Sequence, residues 1–142
     1  MLDSTKNLDI SILVNNVGQI LYGKLETHSI ATRVSNLSIN VNAITYMSMY
    51  FIPRLLARGK KSAMINVTSK MAYLGFGDFG PYGASKAYLS MLTLSMQEAY
   101  RKQIDVMLVT PGSVKSGINK GTMPNTIATD DHCNTVLNQL GW

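Results

Sequence analysis

Three short apolar runs, separated by two long helical patterns, restrict this chain to a narrow set of architectures. The runs are Ile10-Ser11-Ile12-Leu13-Val14, Ala63-Met64-Ile65-Asn66-Val67 and Val106-Met107-Leu108-Val109. Strands apolar on both faces belong inside a parallel sheet covered by helices. From about Ala31 to Ala57, Val34, Leu37, Val41, Ile44, Phe51 and Leu55 recur at helical steps behind Ser29 as N-cap, with a gap near Met47 and Ser48. Pro53 should kink this helix near its end, and Gly59 should stop it. A second helix is predicted from about Tyr82 to Lys102. A third runs from Asp130 to Leu140, capped by Thr129 and ended by Gly141. Strand, helix, strand, helix, strand implies right-handed crossovers and a doubly wound α/β sheet. Three strands leave both edges open, so the sheet reads as incomplete.

Composition excludes several classes. Of the 142 residues, 46% are hydrophobic and 15% charged, which indicates globular sequence with apolar surface that belongs against something else. The net charge of +5 raises nucleic acid as a partner, but the densest cluster is Arg54, Arg58, Lys60 and Lys61, without interleaved aromatics. Cations at a helix end complement its dipole, and no nucleic-acid partner is expected. No run is long enough to span a bilayer. Cys133 is the lone cysteine, which makes a reducing, cytoplasmic setting the default for this chain. His28 and His132 have no companions at metal-ligand spacing, so no metal is expected.

The strongest chemical signal is Tyr82-Gly83-Ala84-Ser85-Lys86, a Tyr and a Lys one helical turn apart. A free tyrosine has a pKa near ~10. A neighbouring ammonium is expected to lower it and make Tyr82 usable in proton transfer. Alone, this spacing is common on solvated helices. Three features raise it. Ser69 directly follows the second apolar run, thirteen residues before Tyr82, and strand carboxyl ends face the ligand crevice of open α/β sheets. Asn40 places an amide inside the first helix. Asn15-Asn16-Val17-Gly18 and Pro111-Gly112-Ser113-Val114 close the other two strands at the same rim. A competing motif, Gly75-Phe76-Gly77-Asp78-Phe79-Gly80, spells a dinucleotide fingerprint but does not follow tightly on a strand. It reads as the loop between Ser69 and Tyr82.

With these residues the sequence resembles the short-chain dehydrogenase/reductase family over nearly its whole length. Asn15, Asn16 and Gly18 are similar to its Asn-Asn-Ala-Gly motif, with Val17 for Ala. Ser69, Tyr82 and Lys86 match its Ser and Tyr-x-x-x-Lys residues. Asn40 matches its helix Asn by distance from Pro53, with Asn42 a competitor. Pro111, Gly112 and Val114 match Pro-Gly-x-Val, and Ser116 stands where Thr is commoner. The resemblance implies a Rossmann-type sheet and a hydride transfer between NADP or NAD and a ketone or secondary alcohol. Tyr82 would exchange the proton with the carbonyl oxygen. Lys86 would lower the tyrosine pKa and hold the nicotinamide ribose, Ser69 would orient the carbonyl, and Asn40 would hold a water relay. Asn15, Asn16, Gly18, Pro111, Gly112, Val114 and Ser116 would line the cofactor.

The family's phosphate-binding turn, Thr-Gly-x-x-x-Gly-x-Gly, would come before all of this and is not found in Met1–Asp9. Residues 1–142 therefore read as the catalytic C-terminal part of one such domain, without its phosphate-binding part and short of its last strand. Ile12-Leu13-Val14-Asn15-Asn16-Val17-Gly18 is similar to the branch of 17β-hydroxysteroid dehydrogenases and very-long-chain 3-oxoacyl-CoA reductases. That branch implies a steroid or other lipid-like substrate and favours NADP. Its members are often tied to the endoplasmic reticulum by an N-terminal segment, which is the setting implied for a full-length parent. The alternative is an inactive fragment acting as an association module. A homodimer would then form through residues 31–57 and 82–102, where Gly83, Ala84, Ala87 and Ser90 are small enough for close helix approach.

Overall fold

The computed structural model describes residues 2–117 and 123–140. Three parallel strands, β1 (Ile12–Asn15), β2 (Ala63–Val67) and β3 (Asp105–Val109), lie side by side in that order. In register Leu13 stands beside Met64 and Met64 beside Val106. These inward side chains meet Phe51 and Leu55 of α2 (Ala43–Ala57) and Met96 of α3 (Gly80–Tyr100) in one apolar core. Helices thus cover this face of the sheet. On the other face Val14 of β1 is 54% exposed, so β1 is not covered on both sides as its apolar run suggests.

The first long helical pattern is not one regular helix. It begins as α1 (Ile30–Leu37), with the Ser29 hydroxyl accepting from the amide of Thr32 as expected of an N-cap. A π-helical turn then occupies Ser38–Asn42 before α2 resumes. Such turns insert one extra residue per turn and shift the faces of the flanking segments, which is why the apolar spacing drifts near Met47. Pro53 lies inside α2, which continues to Ala57, and Gly59 follows at φ +60°, the left-handed conformation that ends helices. A fourth helix, α4 (Thr129–Asn138), begins one residue before the sequence suggests. Its N-cap is Ala128, and the Thr129 hydroxyl donates instead to the Lys115 carbonyl. Gly141 lies outside the described residues.

Gly83 serves a different contact from the helix–helix approach its size suggests. An added Cβ would lie 2.8 Å from the Met71 carbonyl oxygen, so the bare backbone lets α3 press on the 3-10 turn Lys70–Tyr73. Ser90 is buried and donates to Thr68. Among the four small residues only Ala84 is exposed.

Candidate active site

All three strands point their carboxyl ends the same way, so Asn15, Ser69 and Pro111 emerge at one rim. Backbone pairing continues past β2 and fixes Ser69 between its neighbours. Thr68 donates to the Val109 carbonyl at 2.7 Å, and Lys70 to that of Pro111 at 3.0 Å. The Ser69 hydroxyl caps the following turn by accepting from the Met71 amide at 3.2 Å, and it hydrogen-bonds with the Tyr82 phenol. Tyr82 lies in the first turn of α3, so the turn that carries Ser69 and the helix that carries Tyr82 are packed directly together.

Lys86 follows one turn later and is 3% exposed. Its ammonium donates to the Val67 carbonyl at 3.0 Å and stands 5.9 Å from the Tyr82 ring centroid. An ammonium has three protons to donate. Gly18 leaves room beside it: an added Cβ would sit 3.2 Å from the ammonium nitrogen and 3.6 Å from Oδ1 of Asn40. Asn40 lies within the π-helical turn and is fully buried. It accepts from the Gln19 amide at 2.8 Å and donates to the Gln19 carbonyl at 2.9 Å, gripping the strand-end loop as a backbone partner would. The competing Asn42 is exposed and hydrogen-bonds to Ser38 within its own helix.

The structure therefore gathers Gly18, Asn40, Ser69, Tyr82 and Lys86. The Asn15 side chain turns inward beneath the rim and donates to Asn66 at 2.8 Å and to Ser48 at 3.3 Å, while Asn66 donates to Thr93 at 3.0 Å. This amide ladder joins β1 and β2 to α2 and α3. Asn16 is exposed. Gly112 packs against the Lys70 side chain, and Val114 bridges Ile127, which returns the loop after β3 toward the rim. Ser116 is exposed in that loop. Two groups were missed from the sequence. Asn36 donates to the Gln19 carbonyl at 3.1 Å, and its spacing of four from Asn40 was the available signal. Arg33 is buried and caps the carbonyls of Gly23 and Lys24, for which no sequence signal existed.

The electrostatics differ from the simple expectation of a lowered tyrosine. Burial pushes the Tyr82 phenol above its ordinary 10, and the Ser69 hydrogen bond only partly offsets this. The same burial lowers Lys86 from 10.5 to about 8. Desolvation disfavours charge on both groups. Neutral tyrosine is the form that can donate a proton. A consequence follows for stability. Below about pH 8 the folded and unfolded lysine both hold the proton, and the cost of burying charge is complete. Between about 8 and 10.5 only the unfolded chain retains it, so stability should rise with pH by about 3 kcal/mol at most. Tyr82 acts oppositely above pH 10, where only the unfolded tyrosine ionises. Urea midpoints between pH 8 and 10 should therefore climb, and Lys86→Met should flatten the climb. A wild-type midpoint that falls over this interval would contradict the placement of the ammonium.

Comparisons with known proteins identify the family. The model of the short chain dehydrogenase family matches residues 3–126. The chain belongs to that family, whose members are NAD(P)-dependent oxidoreductases. Among its relatives, human 17-beta-hydroxysteroid dehydrogenase type 3 is 28% identical over 94% of this chain and 44% of its own length. A very-long-chain 3-oxoacyl-CoA reductase of Caenorhabditis briggsae is 28% identical over 99% of this chain and 46% of its own. A short-chain dehydrogenase from Sphingobium yanoikuyae, solved with NADPH, superposes with a TM-score of 0.88 at 21% identity, covering 99% of this chain and 59% of that one. The chain thus spans about half the length of the curated relatives it matches. Among the described residues no helix is long and apolar enough to cross a membrane.

Proposed function

We propose that residues 1–142 are the catalytic part of a short-chain dehydrogenase domain that interconverts a ketone and a secondary alcohol on a lipid-like substrate, a steroid or 3-oxoacyl chain, with NADP or NAD. The observation that carries this reading is the Tyr82 phenol beside the Ser69 hydroxyl, with the buried Lys86 ammonium 5.9 Å from its ring centroid. The residues present fit a nicotinamide cofactor. Lys86 retains donors for ribose hydroxyls, Gly18 keeps the space beside it open, and Gly112 and Val114 form the return of the loop after β3. When bound, the cofactor supplies or accepts the hydride. Ser69 and Tyr82 donate hydrogen bonds to the carbonyl oxygen, and Tyr82 delivers its proton there as negative charge develops. Lys86, one turn away, stabilises the phenolate left behind. Asn40 holds the loop that bounds the Lys86 chamber, and a water between them would return the proton.

The substrate class rests on the two named relatives, a 17-beta-hydroxysteroid dehydrogenase and a very-long-chain 3-oxoacyl-CoA reductase. Oxidation of NADPH by a protein containing this chain, measured with 17-ketosteroids and with long-chain 3-oxoacyl-CoA, tests it. Turnover of short polar ketones only would overturn the lipid-like class.

A specific observation favours association as a second reading. Tyr46, Met49 and Leu56 on α2, and Tyr88, Met91 and Leu94 on α3, are exposed apolar side chains at helical spacing, with Met49 67% and Met91 65% exposed. The Thr45 and Tyr88 hydroxyls, 3.1 Å apart, hold the two helices side by side. This two-helix face fits a second copy of itself. Light scattering on the chain should give twice the monomer mass, and Met49→Glu with Met91→Glu should return it to monomer. A clean wild-type monomer would remove this reading.

A further inference from the structure

The two helix-to-strand turns at the opposite end of the sheet from Ser69 carry the second concentration of charge. Lys60 and Lys61 follow α2, and Arg101 and Lys102 follow α3, forty residues later. The fold brings both turns around one cleft of about 470 Å³, floored by Leu56 and edged by Asp105. Only the first pair is visible as a cluster in the sequence, where complementing a helix dipole explains it. That explanation is insufficient for the assembled cleft. Each helix end carries about half a negative charge. Two helix ends and Asp105 together offset about two of the four cations, leaving about two positive charges. Glu98 stands 3.9 Å from Arg101, but both are exposed and such pairs are weak. Arg58 is not part of the surplus, since it is bound to Asp9 at 2.5 Å.

We propose that this cleft binds a ligand through a phosphate group carrying two or more negative charges. A surplus of roughly two cations matches a phosphoryl dianion or pyrophosphate. The volume exceeds that of one phosphate and lies within the range of small-molecule sites, which leaves room beside Leu56 for an organic portion. Two sources share this chemistry, a soluble phosphorylated metabolite and a phosphoinositide headgroup. The site lies at the amino ends of the strands, away from the Ser69–Tyr82–Lys86 rim, and does not depend on the activity proposed above.

The test is a titration of pyrophosphate into the 142-residue chain at low salt, followed by backbone amide NMR shifts. Shifts should concentrate in residues 59–62 and 101–105, with a dissociation constant on the order of 0.1–1 mM. Lys60→Glu with Lys102→Glu should weaken binding at least about tenfold, Asp105→Asn should tighten it, and Lys24→Glu should leave it unchanged. If the double reversal fails to fold by circular dichroism, Lys60→Gln with Lys102→Gln takes its place, with a smaller loss in the same direction. Phosphatidylcholine vesicles with and without phosphoinositide separate the sources. Phosphoinositide-dependent sedimentation competed by pyrophosphate names the headgroup, and pyrophosphate binding without sedimentation names a soluble ligand. Absent shifts, shifts scattered over all lysines, or affinity unchanged by the double variant would overturn the site.

Discussion

Tyr82→Phe should lower turnover by about 10²–10⁴-fold while leaving dinucleotide affinity within a few fold, in a protein that carries this chain together with a phosphate-binding unit. The substitution removes one oxygen and its proton and keeps the ring, so the first turn of α3 and its contact with the 3-10 turn Lys70–Tyr73 remain. The lost atom lies beside the Ser69 hydroxyl, on a ring whose centroid is 5.9 Å from the Lys86 ammonium. Without it a carbonyl oxygen gaining charge keeps only the Ser69 hydroxyl as a donor. The loss should therefore fall in kcat rather than in KM for the cofactor. Steady-state assays on both variants, with fluorescence titration of the dinucleotide, check this. Retained turnover would remove Tyr82 from its role.

At the Ser69–Tyr82–Lys86 rim these 142 residues by themselves should hold NADPH and NADH no more tightly than about 1 mM, and they should turn nothing over. In dinucleotide folds the pyrophosphate is held by backbone amides and a helix N-terminus in a strand–glycine turn–helix unit, and among the described residues no such unit precedes β1. The groups gathered here face the nicotinamide end of a cofactor. A hydride donor held from that end alone is poorly positioned, and a misplacement of about 1 Å can cost on the order of a hundredfold. The open edge of β1 and exposed Val14 also make a marginally stable piece the expected outcome. Calorimetric titration of the Lys60→Glu, Lys102→Glu chain, whose amino-end cleft is reversed in charge, settles the matter. Micromolar binding would show that the rim suffices without the phosphate-binding unit.

The sheet, its strand order and the rim were legible because each rests on a local pattern. Apolar runs, helical spacing and glycine punctuation placed Ala63–Val67 to the residue, the other strands and α3 within two residues, and the end of α2 at Gly59. The Tyr82–Lys86 pair was legible for the same reason, since one helical turn puts both side chains on one face. What sequence alone could not decide were the quantities set by groups distant along the chain. The π-helical turn that carries Asn40 has no local signature, and its value lies in meeting the backbone of Gln19, twenty-one residues earlier. The direction of the Tyr82 shift was misjudged because spacing reports the neighbouring charge but not the burial, and burial is the larger effect here. Asn15 matched a rim motif, yet its side chain turned inward to Asn66 and Ser48, since strand alternation sends successive residues to opposite faces. Sequence determined which elements form and where their ends meet, because those are questions of period and punctuation. Only the tertiary structure decided which polar groups are dry, which are paired and which charges stand together, because desolvation and Coulomb energy depend on distances the chain sets only when folded.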